Sequence, residues 1–296
     1  MSALHGWIVL DKPLGLSSAQ GVAAIKRILR AAGHPKPKIG HGGTLDPLAT
    51  GVLPIALGEA TKLAGRMLDA TKGYDFTVGW GTATSTEDAE GEVVATSPGR
   101  PDAAAVAAAL PAFTGPITQI PPAYSALKID GQRAYALARA GESVTLAARH
   151  VTIHSLALQA AGPDSATFSA TVSKGTYIRS LARDIAAALG TVGHVTMLRR
   201  TRAGPFTLAQ AISLDNLATL VQEAGLEQVI LPLMAGLDDI PALTIDPDQA
   251  AALQQGRKLT GHPAPPGTYL ACLGPVPVAL VEIDQSVVRV VRGFNI

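Results

Sequence analysis

Residues 40–53 read Gly-His-Gly-Gly-Thr-Leu-Asp-Pro-Leu-Ala-Thr-Gly-Val-Leu and set one carboxylate, that of Asp46, in a loop of small residues. Glycines let the backbone adopt positive φ angles and let a ligand approach closely, and Pro47 favours an extended Asp46. The apolar run from Val52 to Leu57 predicts a buried element that carries the loop. The pattern alone fits either a structural turn or a loop that presents a carboxylate to a substrate.

The composition is that of a globular protein. The 296 residues suffice for one large domain and a small one, and 47% of them are hydrophobic and 16% charged. The single cysteine, Cys272, excludes an internal disulfide and a cysteine-based zinc site, and it fits a reducing compartment. No apolar run approaches the roughly 20 residues of a membrane span, and residues 1–6 lack the features of a signal peptide. We therefore expect a soluble, cytoplasmic protein.

Charge is distributed in blocks although the net charge is only +1. Residues 1–72 and 121–210 carry net charges of +5 and +6, whereas residues 73–120 and 211–296 carry −5 each. Such blocks are either solvated faces without a partner or surfaces that attract a polyanion. The two positive blocks contain the Asp46 loop and the other motifs described below, which favours RNA.

Hydrophobic periodicity predicts alternating strands and helices along the first 236 residues. The predicted strands lie at 6–10, 74–80, 93–95, 151–159, 166–173 and 195–198. The predicted helices lie at about 18–32, with Ser17 as its cap and Gly33 as its stop, and at 101–110, 176–189 and 213–224. Residues 124–150 carry six charged side chains and little strand pattern, so we expect an exposed, mobile insertion there.

A boundary is predicted at Gly236 to Ile240. Beyond it, strand-like runs at 243–245 and 287–291 are separated by a Pro- and Gly-rich stretch, 261–276, which predicts a small β-rich module. The sequence contains no P-loop, no GxGxxG fingerprint and no metal-ligand cluster. Neither a nucleotide cofactor nor a catalytic metal is therefore predicted.

The Asp46 segment resembles the sequence around the catalytic aspartate of the TruB family of tRNA pseudouridine synthases. Other family motifs follow in the same order, and the resemblance covers roughly residues 6–235. These motifs are Leu10-Asp11-Lys12-Pro13 with Ser17-Ser18, Lys72-Gly73-Tyr74, Tyr124-Ser125-Ala126-Leu127-Lys128 with Gly131-Gln132-Arg133-Ala134-Tyr135, Ser173-Lys174-Gly175-Thr176-Tyr177-Ile178-Arg179-Ser180, and Leu198-Arg199-Arg200.

The resemblance implies an α+β fold of the pseudouridine synthase type. It has a mixed, mainly antiparallel sheet with flanking helices in a catalytic domain, residues 1–236, and a small β-rich, PUA-like C-terminal domain, residues 237–296. The implied reaction isomerises uridine to pseudouridine at position 55 in the T-loop of tRNA, after the base is flipped out. An isomerisation needs neither a redox cofactor nor ATP. The expected partner is the T-arm of tRNA, with no metal and no obligate protein partner.

The implied catalytic residues are Asp46, Tyr74 and Arg179. Asp46 either attacks C1′ of the ribose or removes a proton from C2′, and the sequence does not choose between these routes. Arg179 is implied to pair with Asp46, although its spacing alone is typical of a surface arginine. Tyr74 is implied to stack on the target base, although its place in the strand pattern also fits a core aromatic.

The implied binding residues surround the same base. Tyr177 and Leu198 match residues that line the uracil pocket, although Leu198 alone would be interpreted as core. His41 matches a histidine that enters the space left by the flipped nucleotides, and otherwise fits a turn. Lys12 is expected to contact a phosphate or to support the Asp46 loop. The cations of the insertion are expected to close over the RNA backbone, namely Lys128, Arg133, Arg139 and Arg149.

Two alternative functions stay open on the sequence. One is a guide-RNA-dependent pseudouridine synthase, whose catalytic segment looks similar; the lack of basic extensions favours the stand-alone form. The other is an RNA-binding or tRNA-folding protein without catalysis, against which the intact Asp46, Tyr74 and Arg179 argue.

Overall fold

The computed structural model describes residues 4–296. Residues 1–3 lie outside that range. They are the first residues of the predicted catalytic domain and of the segment 1–6, which was examined for signal-peptide features. The helices are α1 (Ser18–Ala31), α2 (Ala64–Asp69), α3 (Ala103–Ala109), α4 (Ala134–Arg139), α5 (Ile178–Ala188), α6 (Leu214–Glu223) and α7 (Pro247–Gln254). From residue 4 onward, no helix is long and apolar enough to cross a membrane.

The strands form one large sheet, one smaller sheet and two hairpins. They are β1 (Gly6–Lys12), β2 (Ile39–His41), β3 (Ala49–Leu57), β4 (Lys72–Trp80), β5 (Thr82–Thr84), β6 (Val93–Thr96), β7 (Gly115–Gln119), β8 (Lys128–Ile129), β9 (Gln132–Arg133), β10 (Arg149–Ala161), β11 (Ser165–Val172), β12 (Gly193–Ala203), β13 (Phe206–Thr207), β14 (Ala242–Thr244), β15 (Leu259–Thr260), β16 (Gly267–Leu273), β17 (Val276–Asp284) and β18 (Val287–Gly293).

The large sheet has the order β1-β3-β12-β4-β11-β10-β7, with β2 paired to β3 and β13 paired to β12. Its β3–β12 pair is parallel and its other pairs are antiparallel. This confirms the predicted mixed, mainly antiparallel sheet. The parallel pair sets Leu198 opposite Ala49, so the middle of β12 lies beside the loop that carries Asp46.

Helix α1 shows how local sequence sets an element of this fold. Ser17 and Gln20 form a capping box at its start, an arrangement whose cap residue contributes about 1 kcal/mol. Its buried residues include Ile25 and Leu29, which pack in the core formed with β1 and β3. The basic side chains of the helix are exposed, at Lys26, Arg27 and Arg30.

Strand β12 is longer than predicted. The apolar pattern covered only 195–198, because Arg199, Arg200 and Arg202 interrupt it. The strand nevertheless continues to Ala203, since β3, β4 and β13 supply hydrogen-bonding partners along its length. A charged run thus lies in the middle of the large sheet, where Arg200 is buried.

The Pro- and Gly-rich stretch 261–276 was predicted to separate strands, and this was wrong in part. Strand β16 lies within this stretch, and β17 begins at its last residue. The two strands are neighbours in the interior of a five-stranded sheet. Pro277 is accommodated because the β16–β17 register shifts where it pairs with Cys272. Proline is tolerated at such irregularities, where a ladder hydrogen bond is already missing.

The C-terminal sheet shares a hydrophobic core with the large sheet. Trp7 and Phe206 lie in one cluster with Leu270, Leu280 and Phe294, and the rings of Trp7 and Phe206 are 5.2 Å apart. A second cluster lies within the C-terminal part alone. The predicted division at residue 236 therefore separates two sheets that are packed together.

Residues 124–150 contain the β8–β9 hairpin followed by α4, and the last two of them begin β10. Most of their side chains are exposed, as predicted, whereas Ser125 and Ala134 are buried. Backbone hydrogen bonds from Ala134 to the carbonyl of Leu127 and from Tyr135 to that of Ser125 fix the base of the insertion. Its mobility stays a prediction.

Candidate active site

The Asp46 loop connects β2 to β3 and is held by Arg200 from β12. The buried guanidinium donates from Nε to the carbonyl of Val52 at 2.7 Å and from Nη2 to that of Gly43 at 3.1 Å. Gly51 has a φ of +98°, and a Cβ there would lie 2.2 Å from the carbonyl oxygen of Arg200. Glycine is therefore required at this close approach.

Asp46 pairs with Arg179, the second residue of α5. Nη2 of Arg179 lies 3.0 Å from Oδ2 of Asp46, and the arginine side chain is 6% exposed whereas the aspartate side chain is 41% exposed. The guanidinium also donates to the carbonyls of Thr86, at 2.7 Å, and Tyr124, at 3.0 Å, and its Nε is 3.6 Å from Asp88. The arginine is thus a buried anchor that leaves the carboxylate accessible.

A cavity of about 500 Å³ lies in front of this pair. Ligand pockets commonly have volumes of this order. Its wall brings together five of the residues that the sequence singled out for chemistry or base binding, namely Asp46, Tyr74, Tyr177, Arg179 and Leu198. The arrangement can hold a planar ring against aromatic and aliphatic side chains beside a fixed carboxylate.

Tyr74 and Leu198 form the floor of the cavity. Both are partly buried, and each packs against two of the hydrophobic clusters, one that contains Phe76 and one that contains Ala49. They lie on the adjacent strands β4 and β12. Tyr74 and Leu198 therefore pack against the hydrophobic core and also line the cavity.

Tyr177 is placed by Gln119, a buried residue at the end of β7 that the sequence did not reveal. The side-chain amide of Gln119 accepts from the backbone N–H of Tyr177 at 2.8 Å and donates to its carbonyl at 3.0 Å. Arg149 lies over the tyrosine ring, with 5.4 Å between its Cζ and the ring centroid. This arginine is the first residue of β10, at the C-terminal end of the predicted insertion, and it contacts Tyr177 in the cavity wall.

Lys12 lies under the Asp46 loop. Its ammonium is fully buried and donates to the carbonyls of Pro13, Leu16 and Pro47. Burial lowers the pKa of Lys12 to about 8, against the opposing effect of Asp46. The contact with Pro47 agrees with the predicted support of the loop, whereas a direct phosphate contact would need an exposed ammonium.

His41 lies on β2, outside the residues that line the cavity. Burial and the nearby Arg200 lower the pKa of its imidazole, so the ring is neutral near pH 7. Its Nδ1 is buried and has no hydrogen-bond partner. A neutral, partly exposed ring at this position is suited to stacking on a base.

Of the four predicted RNA-backbone cations, one lines the cavity. Arg133 lines it and donates to the carbonyl of Ala126. Arg139 lies over the ring of Tyr135, 5.6 Å from its centroid. Lys128 is exposed on the β8–β9 hairpin.

Several residues of the site were not identified from the sequence. Lys72 lines the cavity, and burial lowers the pKa of its ammonium to about 8. Glu87 and Asp88 come from the negatively charged block 73–120, to which the sequence analysis assigned no site residue other than Tyr74. Within residues 4–296, no group of three or more His, Cys, Asp or Glu is placed to hold a metal ion.

Family models match most of the chain. The N-terminal domain of TruB family pseudouridylate synthases matches residues 26–178. The C-terminal domain of tRNA pseudouridylate synthase B matches residues 179–238.

Similar proteins match over nearly their whole length. The tRNA pseudouridine synthase B of Novosphingobium aromaticivorans is 64% identical, with 99% of this chain and 98% of the relative covered. That of Zymomonas mobilis is 58% identical, with coverages of 99% and 97%. Among solved structures, a Cbf5-Nop10-Gar1 complex contains a chain with a TM-score of 0.75 and 28% identity, with 98% of this chain and 85% of that chain covered. An H/ACA ribonucleoprotein bound to a substrate RNA containing 2′-deoxyuridine has the same TM-score and coverages at 26% identity.

Proposed function

Because the chain belongs to the TruB family of pseudouridylate synthases, we propose that it isomerises uridine to pseudouridine at position 55 in the T-loop of tRNA. The observation that supports this most directly is the Asp46–Arg179 pair, 3.0 Å apart, in the wall of a cavity with two tyrosines. This geometry offers one carboxylate to the sugar and flat surfaces to the base.

The proposed reaction breaks the bond between N1 of uracil and C1′ of the ribose. The uracil leaves with the electron pair, rotates within the cavity and forms a new bond from C5 to C1′; the proton on C5 is lost and N1 gains one. Asp46 either adds to C1′ as a nucleophile or takes the C2′ proton to give a glycal. Glycosidases use a second carboxylic acid to protonate a leaving oxygen, whereas uracil leaves more easily as an anion.

Binding must offset the cost of extracting the base from the folded T-loop, a few kcal/mol. Stacking on an aromatic side chain contributes about 1–3 kcal/mol per base, which Tyr74 is placed to provide. His41 would occupy the space that the flipped nucleotides leave. Phosphate contacts by Lys128, Arg133, Arg139 and Arg149 would add affinity that depends on salt.

The stand-alone form is favoured over a guide-dependent one. The relatives at 58% and 64% identity are named for tRNA, whereas the chains from H/ACA complexes are 26–28% identical. The reaction is redox-neutral and needs no ATP, so we expect turnover with tRNA alone, in the cytoplasm.

Tritium release tests the role of Asp46. The purified protein and unmodified tRNA labelled with tritium at C5 of uridine are incubated without guide RNA or cofactor. We expect release by the wild type and a complete loss in Asp46→Asn, which should still bind tRNA. Asp164→Asn is the matched control, because Asp164 also pairs with an arginine, Arg100, at 2.8 Å, but on the surface.

The outcomes separate the candidate functions. If the wild type binds tRNA but releases no tritium, the binding-only or guide-dependent function replaces this proposal. If Asp46→Asn retains release, the assignment of the catalytic carboxylate is contradicted.

A further inference from the structure

Ser125 carries a buried hydroxyl that the free protein leaves without a hydrogen-bond partner. The residue is 3% exposed and lines the cavity in front of Asp46. Between residues 4 and 296, two side-chain nitrogens are also buried without a hydrogen-bond partner, those of His41 and Trp80. Neither of these residues lines the cavity. Because most buried polar atoms in proteins are paired, an unpaired one in a cavity wall points to an absent ligand.

The backbone around Ser125 is fixed to the catalytic pair. Its N–H donates to the carbonyl of Ala123 and its own carbonyl accepts from Tyr135, both at 3.0 Å. The preceding carbonyl, that of Tyr124, accepts from the same nitrogen of Arg179 that contacts Asp46. The hydroxyl is therefore attached to a segment tied by backbone hydrogen bonds, one residue from a direct contact with the arginine that anchors Asp46.

We propose that the Ser125 hydroxyl binds the substrate by a hydrogen bond to the flipped-out uridine. A hydroxyl both donates and accepts, so its partner is either the 2′-hydroxyl of the ribose or a polar edge atom of uracil. Sites built to hydrogen-bond a substrate discriminate strongly, because their polar groups stay unpaired when the partner is missing. This inference rests on the proposed function and adds a binding residue to it.

An unpaired hydroxyl gives a distinctive combination of effects. In the free protein it contributes no hydrogen bond, so Ser125→Ala should leave the melting temperature equal or raise it. In the complex the variant lacks one hydrogen bond, so kcat/KM for tRNA should fall roughly 5- to 30-fold. A structural serine would give the reverse combination, a lower melting temperature with kcat/KM nearly unchanged.

The experiment measures kcat/KM by tritium release and melting temperature for the full-length wild type, Ser125→Ala and Ser125→Cys. Cysteine keeps nearly the same shape but is only a weak donor. Ser125→Cys should therefore show the same loss of kcat/KM even if Ser125→Ala perturbs the fold. Ser180→Ala is the control for the melting curves, since that buried hydroxyl donates to Glu87 at 3.1 Å and its loss should lower the melting temperature.

Affinity for RNA containing 2′-deoxyuridine at the target position, measured with and without Ser125→Ala in the Asp46→Asn background, identifies the contact. A penalty that disappears with the deoxy substrate assigns the ribose hydroxyl, and one that persists assigns the uracil edge. An unchanged kcat/KM, or a loss that only follows a lower melting temperature in both variants, overturns the inference. An inactive wild type would instead contradict the proposed function.

Discussion

Arg179 uses its guanidinium to join three separate segments of the chain. It contacts the Asp46 loop, the carbonyl of Thr86 and the carbonyl of Tyr124. A lysine ammonium is a single point charge on a flexible stem and cannot reproduce this fork. The identity of residue 179 should therefore matter more than its charge.

Arg179→Lys should lower kcat by roughly 10²- to 10³-fold, the cost typical of removing a preorganised group that orients or stabilises reacting atoms. KM should change less, because the walls of the cavity stay in place. Steady-state tritium release over a range of tRNA concentrations measures both quantities. Arg100→Lys is the control, since it changes an arginine paired with an exposed aspartate, and equal rates for wild type and Arg179→Lys would contradict the assignment.

At the scale of single residues, the resemblance predicted that Asp46 and Arg179 pair, as they do, but it did not predict their surroundings. Asp46 and Arg179 are recognisable because motifs carry them. Gln119 lies in no motif, and the motif that contains Ser125 does not reveal what its hydroxyl does, because both roles depend on partners that only the folded chain brings near; Gln119 holds a residue 58 positions away. Spacing alone suggested an exposed Arg179, because spacing carries no information about the carbonyls of Thr86 and Tyr124, which accept its hydrogen bonds.

Helix α5 is held against the segment between β5 and β6 by Glu87. The carboxylate accepts from Ser180 and pairs with Arg183, both on α5. Burial raises the pKa of Glu87, and its φ of 63° lies in the left-handed region. Because its neighbours Thr86 and Asp88 contact Arg179, this connection positions the arginine.

Glu87→Gln should therefore lower kcat roughly three- to tenfold, equivalent to about 1 kcal/mol, with little change in KM. The split between kcat and KM distinguishes a positioning role from a binding role. Glu90→Gln is the matched control, because Glu90 is an exposed acid of the same segment. A parallel fall in both variants would show that the segment acts only through its overall charge.

The insertion is the element that we expect to grip the RNA backbone. Changing Lys128, Arg133, Arg139 and Arg149 together to alanine should weaken tRNA binding and lower the salt dependence of log Kd by up to about three, at roughly 0.7–0.9 per lost phosphate contact. Fluorescence anisotropy over a range of salt concentrations, in the Asp46→Asn background, measures this. An unaltered slope would exclude the four cations from the interface.

Element boundaries followed the apolar pattern where that pattern was continuous. Helices α1 and α6 begin at predicted serine caps. Strand β12 is longer than predicted because β3, β4 and β13 supply backbone partners along it and Arg200 finds buried carbonyl acceptors. Strand β16 was missed because glycine and proline dominate its surroundings. In both cases the deciding contacts come from neighbouring strands.

At the scale of the whole molecule, the two sheets depend on one shared core. Phe294, 2% exposed, follows the last strand and packs in the cluster that contains Trp7 and Phe206. The sequence placed a boundary near Gly236 but could not show that the two sides share apolar residues. Residues 237–296 should therefore unfold together with the large sheet.

Phe294→Ala should lower the free energy of unfolding by about 3–5 kcal/mol, and the protein should keep a single unfolding transition. Ile296→Ala, which changes an exposed side chain two residues later, should have little effect. Urea denaturation gives the free energy of unfolding of each variant, and calorimetry gives the number of unfolding transitions. Two separate transitions in the wild type would contradict the shared core.

The most direct test of the central claim is to map pseudouridine in an unmodified tRNA transcript after incubation with this protein alone. Carbodiimide modification followed by primer extension locates each pseudouridine. The proposed function predicts one new pseudouridine, at position 55, with the wild type and none with Asp46→Asn. No pseudouridine, one at another position, or one that forms only when a guide RNA is added would contradict it.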